Sequence, residues 1–398
     1  MSRIIIFTGK GGVGKTMISS AHALSSASEG KKTLLVSTDM AHNLGDFLEM
    51  KIGSDIIHVN EYLDAAELDP DKIMREDFPD FMRAWQGMLS SSGVKPSEQD
   101  QFTVIPGMES LFSLMKITQI EESGVYDRII VDCAPTGETL SMLKLPELLS
   151  WYLEKFFPVG RVAFRILNPV TKTFLKVEMP DKDAMYDAEK IYVELTKVQD
   201  LLKDDSRTTV RLVCTPEKMV VEETKRSFMY LNLYHYHVDG IYINRIIPEL
   251  EDNEFFLKWY KIQQDYIAEL EHVFAGIPTM KLRWYPNEVK GINALDQFCD
   301  ENLKKEELPE IFSVRGGGQN ESYTRCGDGY CLSVGIPFAD SDSIDVKCHD
   351  MDLTIQAGTQ VRVIPLPYTL KGCIVKSTEY EDGKLKIMLA AGKEGFRI

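Results

Sequence analysis

The ten residues FTGKGGVGKT, Phe7 to Thr16, constrain this chain more than any other stretch. An apolar run, Arg3 to Phe7, precedes the loop, and a helical stretch, Met17 to Ser28, follows it. Strand, glycine-rich turn and helix in that order are the setting in which G-x-x-x-x-G-K-[ST], here Gly9 to Thr16, grips phosphate. Gly9, Gly11, Gly12 and Gly14 let the backbone close in, so that the N–H groups of Val13, Met17 and their neighbours face phosphate oxygens. Lys15 is placed to hold the β- and γ-phosphates of ATP and Thr16 to ligate Mg²⁺. Phosphate binding of this kind does not need Lys10. Early in the loop, it projects away from the nucleotide its own chain holds, and read alone it is a solvated lysine.

Strand-like runs separated by helical stretches continue to about residue 312: Thr33 to Ser37, Arg128 to Asp132, Arg211 to Val213 and Gly240 to Ile243. That pattern predicts an α/β domain, a mostly parallel sheet covered by helices on both faces, over residues 1–312. RGGGQNES, from Arg315, is a polar break, and 313–322 reads as a linker. Beyond it the period falls to two: Leu332, Val334 and Ile336 alternate with small residues, Ile344, Val346 and Cys348 with polar ones, and Asp382-Gly383 is a hairpin signal. An all-β sandwich of six to eight short strands is expected over 323–398.

Composition narrows the function classes. A net charge of −16 argues against nucleic acid as a partner. No stretch is apolar for long enough to span a bilayer and no signal peptide opens the chain, and seven scattered cysteines read as reduced thiols, so a cytoplasmic location is expected. Cys326, Cys331 and Cys348 can be read as a metal set or as core and surface thiols, and the spacing favours thiols.

Two stretches follow strands at the ligand-binding ends of such sheets: STDMAHNLGD, Ser37 to Asp46, and DCAPTGETL, Asp132 to Leu140. Asp132 is placed to hold Mg²⁺ through water and Asp39 to orient the attacking water, with helix capping as the plain alternative for each.

The loop GKGGVGKT resembles the deviant phosphate loop of the partitioning, septum-positioning, nitrogenase iron-protein and arsenite-pump ATPases. That resemblance implies a face-to-face homodimer in which Lys10 reaches the partner's phosphates. Together with the two later stretches, the chain is similar to the arsenite-pump ATPase family, especially its branch that guides tail-anchored membrane proteins. The resemblance assigns His42, Asn43 and Asp46, with Asp39, to a first nucleotide-sensing switch, and Pro135, Thr136, Gly137 and Glu138 to a second. Three residues depart from the family pattern: Met40 stands for proline, Gly45 for serine and Glu138 for histidine.

By the same resemblance, VCTPEKMVVEETKRSF places Glu217 across the dimer, and GIYINRIIPE places Asn244 on adenine. One amide there supplies both donor and acceptor. RWYPNEVKGINAL flanks the base: Arg283, Trp284 and Tyr285 are candidates for it, the two aromatics being equally readable as core. The cysteine pair that gives eukaryotic members a shared zinc is missing from 249–272, so no zinc is expected.

Met-, Phe- and Trp-rich helical segments, about 61–105 and 145–200, read either as ordinary amphipathic packing or, by the resemblance, as a groove for hydrophobic client helices. The module after the linker resembles the α-crystallin-like domain of small heat-shock proteins. The expected activity is Mg²⁺-dependent ATP hydrolysis that opens and closes a client groove in a membrane-protein targeting factor, whose membrane receptor is left open. The alternatives are an arsenite or antimonite pump motor and a chaperone or amphipath binder with no targeting role.

Overall fold

The computed structural model describes residues 1–39, 43–79, 108–167, 182–250, 253–303, 311–315, 321–326, 329–349, 352–366, 370 and 372–390. The first part runs β1 (Arg3–Thr8), α1 (Lys15–Ser28), β2 (Thr33–Ser37), α2 (Asn43–Leu48), β3 (Ile57–His58), β4 (Leu63–Glu67), α3 (Pro70–Glu76), α4 (Met108–Glu122), β5 (Arg128–Asp132), α5 (Thr136–Leu167) and α6 (Lys182–Lys203). It continues with β6 (Thr208–Cys214), α7 (Lys218–Leu233), β7 (Val238–Ile246), α8 (Glu254–Val273), β8 (Thr279–Arg283) and α9 (Gly291–Asn302).

The strands form one sheet in the order β3-β4-β2-β5-β1-β6-β7-β8, parallel except at β3. Its central strands are apolar on both sides because helices cover both sides, and β2 and β6 are buried along their whole length. Phe7 and Ser37 both pair with Asp132, and Thr8 pairs with Leu212, so the C-terminal ends of β1, β2, β5 and β6 lie level and hold the loops that follow them together. At the opposite end, buried Asp239 binds Arg3 at 2.9 Å and Arg211 at 3.0 Å. The same arginines donate to the carbonyls of Phe312 and Ile311, which fastens the chain leaving this domain to the base of the sheet.

The second part has β9 (Glu321–Cys326), β10 (Gly329–Gly335), β11 (Ile344–His349), β12 (Asp352–Ala357), β13 (Gln360–Pro365), β14 (Ile374–Glu381) and β15 (Lys384–Ala390). They make two antiparallel sheets, β14-β15-β10-β9 and β11-β12-β13. Leu332, Val334, Leu353, Ile355, Leu385 and Ile387 alternate inward and are buried, as the period of two requires. Asp382 (φ 50°) and Gly383 (φ 72°) turn the last hairpin in the left-handed region that such a dipeptide tolerates.

The β-sandwich docks on α5 and α7 around one buried cation. Arg362 of β13 donates to the Leu233 carbonyl at 2.8 Å and Glu321 at 2.7 Å, and to Glu147 of α5 at 3.2 Å. Trp151 Nε1 donates to Asp352 at 2.9 Å and Tyr234 Oη to the Val361 carbonyl at 3.0 Å.

Candidate functional site

The loop between β1 and α1 is shaped by its glycines. Gly14 (φ 97°) caps α1 in the left-handed region, and a Cβ there would lie 2.4 Å from the Asn244 side chain. A Cβ on Gly9 would lie 2.1 Å from the Val213 carbonyl, so only glycine lets the loop cross the end of β6. Lys15 is 7% exposed and lies along the loop, its Nζ 3.4 Å from the Lys10 carbonyl. Loop N–H groups, the start of α1 and this ammonium converge on one space, which suits a polyphosphate.

Beneath the loop, Thr16 Oγ1 donates to Asp132 Oδ2 at 2.7 Å. Asp132 is 1% exposed, and its Oδ1 has no hydrogen bond among the described residues. Burial pushes this carboxyl up to about 6, against the pull of the Thr16 hydroxyl and Lys15, and Asp39 pushes the same way as burial. A buried carboxylate with an orphaned oxygen, bonded to a hydroxyl at the first turn of the phosphate-loop helix, is the donor set a hydrated Mg²⁺ takes, and these residues fit that ion.

The carboxylate has a measurable cost. Its native pKa lies above its unfolded value of 3.8, so the native state keeps the proton longer. The resulting stability is fully present below about pH 4 and lost as pH rises through 6, about 3 kcal/mol for that shift. Asp132→Asn, in Mg²⁺-free and nucleotide-free buffer, is therefore expected to unfold at higher urea than the parent at pH 7 and at nearly the same urea at pH 4. An equal difference at both pH values would contradict the assignment.

A cleft of about 740 Å³ opens from the loop, lined on the loop side by Gly11, Gly12, Gly14, Lys15, Thr16 and Met17. Asp39 and Phe47 close one side, and Pro135, Asn244, Arg245 and the segment from Arg283 to Lys290 line the rest. Asn244 is 4% exposed; its Nδ2 donates to the Val13 carbonyl at 2.9 Å and its Oδ1 accepts from the Arg245 N–H at 2.9 Å. Arg245 takes φ 56° at an irregularity in β7, a strained conformation for a non-glycine residue that delivers its exposed side chain to the cleft. Trp284 and Tyr285, indistinguishable in the sequence, separate here. Trp284 is 51% exposed at the cleft. Tyr285 packs on Phe298, 5.7 Å between ring centres, and donates to Glu301 at 2.7 Å, with Arg283 bonded to the same carboxylate.

Other candidates lie around this cleft and not in its walls. Lys10 is half-buried at the start of the loop, and its ammonium makes no ion pair among the described residues. Glu217 is exposed at the N-terminus of α7, beside the Thr215 hydroxyl at 3.1 Å. Asn43 starts α2 and Asp46 is exposed on it, while His42 lies outside the described residues. Val13 is buried with its carbonyl on Asn244, and Gly9 sits against β6. Thr136, Gly137 and Glu138 form the first turn of α5; Glu138 is exposed there, where a carboxylate is favoured by the helix dipole.

Three polar residues beside the site carry little mark in the sequence. Glu223 of α7 accepts a short hydrogen bond from Thr136 Oγ1, which ties the first turn of α5 to α7 across 87 positions of sequence. Glu67, at the end of β4, accepts from the Gly45 N–H of α2 at 2.9 Å. Arg245 had the one usable signal, a cation directly after a cleft-lining asparagine at a strand end.

Comparison with known proteins gives the family. Residues 2–304 match the family described as anion-transporting ATPase, and residues 327–389 match the HSP20-like domain found in its members. A candidate arsenical pump-driving ATPase of Prosthecochloris vibrioformis is 34% identical over 99% of this chain and 97% of its own. ATPase ASNA1 homolog 2 of Paramecium tetraurelia is 30% identical over 77% of this chain and 95% of its own. ATPase get3 of Pyrenophora tritici-repentis is 31% identical over 76% and 91%. With its phosphate loop, its parallel sheet and its HSP20-like sandwich, the chain belongs to the anion-transporting, or arsenical-pump, ATPase family.

Proposed function

We propose that this ATPase works as a Mg²⁺-dependent homodimer whose ATP and ADP states differ in the exposure of a groove for apolar client helices. Its use is the targeting of membrane proteins, tail-anchored ones in particular. The observation that carries this reading is the course of α5. Preceded by Pro135 in the cleft wall, the helix begins at Thr136 and runs for 32 residues to Leu167, into the apolar segment 145–200 expected to hold clients. A change in the second switch thus reaches that segment along one continuous helix. Residues 80–107 and 168–181, which complete the two client segments, lie outside the described residues. No helix among the described residues is long and apolar enough to cross a membrane.

In the proposed reaction Lys15 and the loop N–H groups bind the β- and γ-phosphates. Thr16 and Asp132, through water, hold Mg²⁺, which supplies charge neutralisation at the transferred phosphoryl group. Asp39 orients the attacking water, and Lys10 enters from the partner subunit to meet charge developing on the leaving oxygen. Glu217 reaches across the same interface, and Trp284 and Asn244 flank the adenine. Trp284→Ala is expected to weaken ATP binding about tenfold, or about 1.4 kcal/mol, with turnover at saturation unchanged. Fluorescence titration with a labelled ATP analogue measures it; an unchanged affinity would remove Trp284 from the site. The proposed division is an ATPase domain over 1–312, a linker over 313–322, whose last two residues already pair in β9, and a sandwich over 323–398.

Sedimentation of the Asp39→Asn variant tests the dimer. ATP is expected to yield a compact dimer with two nucleotides retained, and ADP a looser or dissociating one; a monomer in both states would overturn the proposal.

One observation favours a second reading, in which arsenite or antimonite is the stimulus. The Prosthecochloris protein, named for an arsenical pump, aligns through the sandwich as well as the ATPase domain, whereas the Paramecium relative aligns over 77% of this chain. Stimulation of turnover by either metalloid, in the absence of any apolar peptide, would favour that reading.

A further inference from the structure

The seven cysteines are not equivalent. Cys133, Cys214 and Cys299 are buried in the ATPase domain, and the other four all lie in the sandwich. Of these, Cys348 near the end of β11 and Cys373, one residue before β14, have their Sγ atoms 2.9 Å apart. That is less than about 1 Å beyond the length of a sulfur–sulfur bond. β11 belongs to one sheet of the sandwich and β14 to the other, and the two strands lie side by side. A bond between these sulfurs therefore joins the sheets, 25 positions apart in sequence. Cys326 and Cys331 are placed differently: Cys326 pairs with Gly329 and Cys331 with Thr324, so the two sit diagonally on neighbouring strands.

The geometry points to Cys348 and Cys373 as a dithiol site that closes to a disulfide on reaction with a small-molecule disulfide, fastening the two sheets of the sandwich together. Cys348 is half-buried and Cys373 is 5% exposed, so Cys348 is the sulfur a reagent meets first. Its thiolate attacks one sulfur of the reagent, releases one small thiol that takes up a proton, and leaves a mixed disulfide. Burial, with Cys348 adding to it, pushes the Cys373 thiol up to about 12, which keeps it protonated and unreactive beforehand. Once Cys348 is capped, its contribution to that shift is gone. Cys373 then attacks the Cys348 sulfur, expels the second small thiol and gives up its proton to it. Two cysteines are oxidised and one reagent disulfide is reduced to two thiols, so atoms and electrons balance.

The site lies close to the docking contact. His349, next to Cys348, pairs with Asp352, whose carboxylate receives the Trp151 indole of α5. Closing the dithiol stiffens the hairpin that touches the ATPase domain.

The test uses the full-length protein in mixtures of oxidised and reduced glutathione, followed by alkylation, intact mass and mapping of linked peptides. The expected result is the loss of two of the seven alkylatable thiols, a Cys348–Cys373 link, and a rise in unfolding temperature that reduction reverses. Cys348→Ser and Cys373→Ser should each abolish both the link and the rise, and Cys331→Ser should leave both. Seven free thiols at every ratio, glutathione retained on Cys348 without closure, a link mapping to Cys326 and Cys331 instead, or a temperature rise that survives in Cys348→Ser would overturn the assignment.

Discussion

Lys10→Ala is expected to lower turnover at saturating ATP by about 10³-fold, a scale set by cations supplied in trans to phosphoryl transfer, while leaving nucleotide affinity nearly unchanged. Lys15, not Lys10, lines the cleft, and the Lys10 side chain makes no ion pair with the described residues of its own subunit. A lysine of that kind binds little in the ground state and acts where charge develops. Mixing variants separates trans from cis action. In a dimer of one Lys10→Ala and one Asp39→Asn subunit, the first subunit's site keeps its own Asp39 and receives Lys10 from the second, so two inactive proteins should regain activity together. Undiminished turnover in Lys10→Ala, or no recovery on mixing, would contradict the assignment.

Arg362→Ala is expected to undock the sandwich. Arg362 is 5% exposed and bridges Glu321 and Glu147, with Lys203 also on Glu147 at 2.6 Å. Removing the arginine leaves two largely buried carboxylates without it, and breaking a buried pair from one side costs about 3–5 kcal/mol. Calorimetry should then show the sandwich and the ATPase domain melting separately where the parent melts as one. Arg362→Met, which keeps the packing but not the charge, should also split the transition, because Glu321 loses its arginine and Glu147 keeps only Lys203. A single transition at an unchanged temperature in both variants would show that the docking does not rest on this cation.

How much of this was legible in the sequence depended on how local the signal was. β2 and β5 were expected at Thr33 to Ser37 and Arg128 to Asp132 and are found there, because a strand buried on both faces spells an unbroken apolar run. β4 left no such trace. Its sequence, LDAAE, buries Asp64 and Glu67, and what makes that tolerable is distant: Lys32 at 3.0 Å and the Tyr126 hydroxyl at 2.8 Å bind Asp64. In the site, the loop was readable because its chemistry sits in eight consecutive residues. The Thr136–Glu223 bond was not, since nothing in the sequence of α7 marks one exposed-looking glutamate among several as the partner of Thr136. Arg362 carries no mark in the sequence for the same reason: between two valines in QVRVIP a cation belongs by alternation to the outer face, and only docking on α5 and α7 buries it.

Under the proposed function, nucleotide controls access to an apolar groove. The measurement that tests it most directly is the affinity of purified Asp39→Asn protein for a labelled, synthetic apolar helix of about 20 residues, long enough to span a bilayer, with ATP and with ADP. The account predicts binding at least about tenfold tighter in one nucleotide state, a difference of about 1.4 kcal/mol, and loss of that difference when Lys10→Ala is added. Equal affinity with ATP, with ADP and without nucleotide would contradict it.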